Sequence, residues 1–336
     1  MESLIESIKR YDISLPKRQV EQLDAYCSLL WDWNSQLNLT RHTTYNLFVA
    51  RDLVDSIAIS EFLRPEERVL DVGSGGGMPG IILKILRPDL HIELCDSTGK
   101  KTLALSEIIN ELNLDIYVHH AKAESVLAAS IAQKNKNKLL TKQSQINDQF
   151  QDAKPEITRF TTLTIRAVAK LVQLLRMFSP YWTLFDRLLL IKGPKWIAER
   201  GEARHYNLMN KLALRVLKNY SIPAEKKIID NNNSDSNSDS DSNSDSNTET
   251  INSVVLQICK KDDFEKLDKI IDEHKTITRQ NEKIEKHEYK RNKSRRSFHH
   301  KNNIKMNTNK FNRKKTKSSS QLKSKSKPKN NRTEKK

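Results

Sequence analysis

Glycine is scarce in this chain, at 8 of 336 residues, about a third of the ~7% usual in globular proteins. The shortage excludes a glycine-rich or collagen-like architecture and makes the place of each glycine informative. Cysteine is scarcer still. Cys27, Cys95 and Cys259 are odd in number and far apart. They fit neither a disulfide framework nor a zinc-ligand spacing, which points to a reducing cytosol. No run of 18 apolar residues exists, so a membrane-spanning helix is excluded. The opening MESLIESIKRYD interleaves charges with its apolar positions and offers no small-residue cleavage site, so no secretory signal is expected.

Acidic residues are nearly absent from one long stretch. Residues 290–336 hold 19 Lys/Arg and one acid, Glu334, whereas the other 289 residues carry a net charge of −1. The overall charge of +17 therefore describes a tail and not a uniformly basic surface. Such a tail binds polyanions by charge, with strong salt dependence. Residues 231–250, NNNSDSNSDSDSNSDSNTET, form an acidic low-complexity tract with nothing to bury, and are expected to be disordered. Residues 132–156 are polar and weakly patterned and read as an inserted surface loop. Three parts follow: a helical segment over 1–60, a folded domain over 61–260 interrupted by 132–156 and 231–250, and a charged, largely disordered tail over 261–336.

The foldable part opens helical, with Val20, Leu23, Cys27 and Leu30 at three- and four-residue spacing. Strands and helices then alternate. Strands are expected at Arg68–Val72, His91–Cys95, Ile116–His119, Phe160–Ala167, Phe185–Ile191 and Ser253–Ile258. Helices are expected from Pro79 to about Leu86 and over Lys100–Leu112, Lys170–Phe178 and Pro194–Leu217. Apolar strands alternating with helices predict an α/β fold with a doubly wound, mostly parallel sheet.

Five of the eight glycines fall in Asp71-Val72-Gly73-Ser74-Gly75-Gly76-Gly77-Met78-Pro79-Gly80, directly after a strand and before a helix. Glycines there permit positive φ and let a ligand approach the backbone. Such a ligand lies outside the carboxyl ends of the strands. Read as Gly75-x-Gly77-x-x-Gly80, the loop matches a dinucleotide fingerprint, with Asp96 placed 21 residues beyond Gly75 to take the ribose hydroxyls. Read as Asp71-x-Gly73-x-Gly75-x-Gly77, it matches S-adenosylmethionine-dependent methyltransferases. A carboxylate at Asp71 would repel a pyrophosphate and attract the ammonium and sulfonium of S-adenosylmethionine, which favours the second reading. Asp96 serves either ribose. A Walker loop is excluded because no Gly-Lys-Ser/Thr follows.

The loop's neighbours carry a more specific resemblance. Trp33-Asn34-x-x-Leu37-Asn38-Leu39-Thr40 lies upstream, followed by Arg51-Asp52-Leu53-Val54-Asp55-Ser56. Asp96-Ser97-Thr98-Gly99-Lys100-Lys101 and Arg166-Ala167-Val168-Ala169 lie downstream. This ordered set resembles the small-subunit ribosomal RNA methyltransferase G family, also called glucose-inhibited division protein B, over roughly residues 15–222 and 253–260. The resemblance implies a class I, Rossmann-like methyltransferase that uses S-adenosyl-L-methionine to methylate N7 of one guanine in 16S ribosomal RNA. It implies cofactor contacts at Gly73 and Met78, at Asp96, Ser97 and Thr98, at Ala123 and Glu124, and at Arg166. A cytoplasmic protein acting on the small ribosomal subunit is expected, with no membrane partner, no metal and a monomeric state.

Two other readings stay beside it: a nicotinamide-dinucleotide oxidoreductase on the same loop, and an RNA-binding protein with a degenerate cofactor site. Three departures from the family pattern stand out: the 132–156 insertion, the 231–250 tract, and KDDFEKLDKIIDEHK plus the basic tail in place of the usual short ending. Lys192-Gly193-Pro194-Lys195-Trp196 offers a candidate RNA-facing patch.

Guanine N7 has an in-plane lone pair and no proton to lose, so its methylation needs placement more than a general base. No catalytic acid–base residue is nominated. The chain lacks the Pro-Pro of amino-group methyltransferases. No cysteine follows Pro or Thr, as the nucleophile of cytosine-C5 enzymes commonly does. A-form RNA buries N7 in a deep narrow groove, so the target base is expected in a loop or bulge.

Overall fold

The computed structural model describes residues 2–129, 159–223, 250–267 and 269, all within the compact unit Met1–Lys269. The 132–156 insertion, the 231–250 tract up to residue 249 and the basic tail lie outside the described residues. Helix α1 (Leu4–Arg10) is closed by a Ser3–Glu6 capping box and leads to α2 (Lys17–Asn34). A third helical stretch, α3, joins Tyr45–Leu47, a π-helical turn Phe48–Leu53 and Val54–Ser60. The alternation follows: β1 (Arg68–Val72), α4 (Gly80–Leu86), β2 (His91–Asp96), α5 (Gly99–Glu111) and β3 (Tyr117–His120). Helix α6 runs over 123–129. Next come β4 (Thr162–Arg166), α7 (Leu171–Phe178), β5 (Arg187–Lys192), α8 (Trp196–His205), β6 (Leu212–Pro223) and β7 (Thr250–Lys260).

The seven strands form one sheet in the order β3-β2-β1-β4-β5-β7-β6. Strands β1 to β5 pair in parallel, while β7 is antiparallel to both β5 and β6. Both faces are covered, as the apolar runs require. Leu70, Val72, Leu163, Ile165, Leu188 and Leu190 pack in one core with α6, α7 and α8. Val69, Leu94 and Leu189, on the alternate positions, are fully buried on the other face. Helix α2 packs against α4 and α5, and α3 packs against α4 and β5.

One expected element is wrong. The Pro194–Leu217 helix ends at His205, and residues 212 onward form a strand instead. Asn207 takes φ +58 in the turn after α8, a conformation Asn tolerates and a helix does not. Leu212 is buried and Leu214 and Val216 pack against the core at every second position, so pairing with β7 outweighs the helix-like spacing. The sheet is accordingly parallel only through β5.

The register fixes which ends share a rim. Arg166 pairs with Ile191, Lys192 with Val254, and Val254 with Asn219. The upper part of β6 therefore stands at the carboxyl ends of the parallel strands. Pro223 and Thr250 are direct partners at that same end, so the chain between them leaves and rejoins the sheet at the carboxyl rim. The described residues on either side of the 132–156 insertion are the end of α6 and the residues just before the amino end of β4.

Candidate active site

The glycine loop follows β1 and folds over the end of β2, where the Gly73 and Ser74 amides donate to the Cys95 carbonyl at 2.8 and 3.1 Å. Gly73, Gly75 and Gly77 take φ of +66, +57 and +96, values side chains resist. The glycines divide by what surrounds them. A Cβ on Gly80 would collide with Leu94 and lie 2.9 Å from Asp71 Oδ2, and one on Gly77 would lie 2.5 Å from Ile81. Those two allow close packing of α4 beneath the loop. A Cβ on Gly75 would meet only the Gly73 carbonyl oxygen, at 3.8 Å. Gly75 thus lines open space, a cradle that a side chain would begin to fill.

Asp96 ends β2 beside this cradle. Its Oδ2 accepts from the Gly75 amide at 3.1 Å and its Oδ1 from the Thr98 amide at 2.8 Å. A carboxylate offers about four acceptor sites, so both oxygens retain capacity for a pair of hydroxyls. Ser97 and Thr98 are exposed on the turn into α5. The Ala121 amide donates to the Asp96 carbonyl at 3.1 Å, which sets the start of α6 next to this turn. There Ala123 is buried and Glu124 half-buried. Met78 is half-buried, with its methyl group against Gly76. Because β3, β2, β1 and β4 are consecutive in the sheet, the residues expected from sequence fall in one row along the rim: Ala123 and Glu124, then Asp96 to Thr98, then Gly73, then Arg166. The row and the open cradle suit an extended adenosyl-type ligand.

Asp71 departs from expectation. It does not present its charge to a ligand. It is buried below the loop, its Oδ1 accepting from the Thr164 hydroxyl at 2.8 Å and its Oδ2 from the Gly80 amide at 3.3 Å. Burial pushes its carboxyl up to about 6 despite these hydrogen bonds. Asp71 is a brace between β1, β4 and α4. Direct repulsion of a pyrophosphate is not the reason the loop would prefer a cationic ligand.

Arg166 closes the row. Its Nη2 lies 2.5 Å from Asp52 Oδ1 and its Nε 3.3 Å from Asp55 Oδ2. Asp52 also contacts His42 Nδ1 at 2.9 Å, and Asp55 accepts from the Tyr220 hydroxyl at 2.6 Å. Burial disfavours the guanidinium charge, but Asp52 and Asp55 outweigh it and hold Arg166 above its usual pKa. Burial pushes Asp55 up. The following turn is fixed from behind, where Lys192 Nζ donates to the Ala169 carbonyl at 2.7 Å and pairs with Glu199 at 2.8 Å. Lys192 is therefore committed internally, and of the expected RNA-facing patch Gly193, Pro194 and Lys195 are exposed.

Asp52 and Asp55 stand in the Arg51–Ser56 motif with no role that the motif alone assigns. A signal was present: two acids three apart inside the apolar helix FVARDLVDSIAIS must share a buried face and need a cation. Tyr220 carried no local signal, since its partner lies 165 positions away.

Among the described residues no helix is long and apolar enough to cross a membrane, and no cluster of potential metal ligands occurs. The chain is 41% identical over 216 residues to a Ribosomal RNA small subunit methyltransferase G of Rhodopirellula baltica, covering 64% of this chain and 81% of the relative. It is 33% identical over 207 residues to the protein of the same name from a Roseiflexus species, covering 61% and 78%. A solved precorrin-6y C5,15-methyltransferase from Geobacter metallireducens aligns at a TM-score of 0.38 and 9% identity, covering 62% of this chain and 88% of that one. The model of the GidB family, rRNA small subunit methyltransferase G, matches residues 19–228, and the chain belongs to that family.

Proposed function

We propose that this protein transfers a methyl group from S-adenosyl-L-methionine to N7 of a guanine in 16S ribosomal RNA, acting in the cytoplasm as a monomer. The observation that carries the reading is the rim row: a glycine cradle open at Gly75, a carboxylate at Asp96 with free acceptor capacity, and a fixed arginine at the adjoining strand end. Asp96 would take the ribose hydroxyls, with Ser97 and Thr98 beside it, and Ala123 and Glu124 would border the adenine. Gly73 and Met78 would border the methionine portion, and Arg166 would stand where that portion meets the target base.

When bound, the cofactor supplies an electrophilic methyl group on a sulfonium. The protein's part is to align that methyl with the N7 lone pair and to exclude water. N7 carries no proton, so no side chain of the chain has to accept one. The base becomes cationic on methylation, and a carboxylate-rich surround stabilises that charge.

Titration calorimetry with S-adenosylhomocysteine and, separately, with NAD tests the cofactor assignment. Saturable binding of S-adenosylhomocysteine and none of NAD is expected. Binding of NAD alone would overturn it.

A further inference from the structure

The Arg166 guanidinium has three nitrogens and only two are engaged. Nη2 reaches Asp52 and Nε reaches Asp55, whereas Nη1 is buried with no partner among the described residues. A buried donor left unmatched costs about 1–3 kcal/mol, so the arrangement makes sense when something else supplies the acceptor. Everything around the arginine works to hold it still. Asp52, fully buried, is fixed from behind by His42, and Asp55 by Tyr220. Asp52 projects from the π-helical turn Phe48–Leu53, a wide turn that recurs at functional sites. Ala167, the next residue after Arg166, is held at φ +55, a strained backbone of the kind that clusters where geometry matters.

The charges narrow what Nη1 meets. Two carboxylates hold the one guanidinium, an acid-rich surround. It suits a site that holds a sulfonium donor and then a cationic base. We propose that Asp52 and Asp55 are positioning residues for methyl transfer, which set Arg166 so that Nη1 donates to an acceptor oxygen of the bound reactants. That oxygen belongs either to the cofactor's carboxylate or to O6 of the target guanine, beside N7. The inference rests on the methyltransferase reading above.

The test uses the full chain with Asp52→Asn, Arg166→Lys and the double variant. Three quantities are read: melting temperature, the dissociation constant for S-adenosylhomocysteine, and the rate of methyl transfer to small ribosomal subunits at saturating cofactor. Each single variant should lose about tenfold or more in the same quantity, and the double variant should lose no more than the worse single, because both act through one nitrogen. A loss in the dissociation constant assigns Nη1 to the cofactor carboxylate, and a loss confined to the transfer rate assigns it to the guanine. Additive losses, or wild-type values in an Asp52→Asn protein that melts normally, would overturn the proposal. Should Asp52→Asn fail to fold, Tyr220→Phe decides: it frees Asp55 while keeping the ring. A several-fold loss in the same quantity supports the proposal, and wild-type values overturn it. Wild-type protein that neither binds S-adenosylhomocysteine nor transfers methyl would instead refute the methyltransferase reading itself.

Discussion

The Tyr26 hydroxyl donates to the Gly76 carbonyl at 2.7 Å, and both groups are buried. A residue of α2, 50 positions upstream, thereby pins the crest of the glycine loop. Leu39 adds to this: its carbonyl lies 3.1 Å from where a Cβ on Gly76 would be. Asn34 folds that segment into place by accepting from the Leu39 and Thr40 amides at 2.8 and 2.9 Å. The N-terminal helices are part of the loop's geometry. Tyr26→Phe keeps the ring but leaves the Gly76 carbonyl unmatched. It should cost about 1–3 kcal/mol in urea denaturation and weaken S-adenosylhomocysteine binding as well. A stability loss with unchanged affinity would show that the loop does not depend on this tether.

Gly75 and Gly80 should fail in different ways when changed to alanine. At Gly80 the new methyl collides with Leu94 and crowds Asp71, so the expected result is overpacking, about 1–3 kcal/mol of lost stability. At Gly75 the methyl enters open space but the residue keeps φ +57. The cost in stability should be about 1–2 kcal/mol from the left-handed backbone, with about tenfold or greater loss of cofactor affinity. Calorimetry alongside thermal denaturation separates the two.

Asp71 gives stability a definite pH dependence. Its folded carboxyl is pushed from 3.8 to about 6, so the folded state keeps its proton after the unfolded chain has lost it. Stability therefore falls as pH rises from 3.8 through 6, by on the order of 3 kcal/mol. Asp71→Asn should remove that slope and raise the melting temperature above pH 6 relative to wild type. Glu67 has the opposite sign. Burial opposes its charge, but Arg187 and Arg64 outweigh burial and hold it at about 2. Its contribution is lost as pH falls from 4.5 through 2, and the Asp71 variant should keep that acid transition. Denaturation midpoints measured between pH 2 and pH 8 check both.

Residues 224–249 can be removed without strain on the sheet, because Pro223 and Thr250 face each other in register. Replacing them with Asn-Gly, the residues a two-residue hairpin turn prefers, should leave the melting temperature unchanged or raise it by shortening the loop. Loss of cooperative melting would contradict the β6–β7 register.

Much of this molecule was legible in its sequence, and the rest was hidden for physical reasons. Strand β5 is buried on both faces, so its Leu188–Ile191 reads as an unbroken apolar run, while β1 and β2 read as short, mostly apolar segments between turns, broken by Asp71 and Glu93. The loop declares itself because glycines are concentrated there in an otherwise glycine-poor chain. Strand β6 was hidden because Leu208, Leu212 and Val216 fit a helical spacing while Leu212, Leu214 and Val216 fit a strand, and only pairing with β7 decides between them. The inward turn of Asp71 depends on Thr164, 93 positions away, a contact no local pattern announces. The Arg166 cluster draws on α3, β4, β6 and the segment at His42. Its members could be suspected singly as buried charges, but their meeting is a property of the fold.

The most direct measurement is mass mapping of 16S ribosomal RNA after small subunits are incubated with this protein and isotopically labelled S-adenosylmethionine. One guanine should carry the labelled methyl on N7, and at limiting cofactor Gly75→Ala protein should label that guanine about tenfold less or worse. A methyl on an exocyclic amine, on another base, or on no base at all would contradict N7 transfer from the rim site.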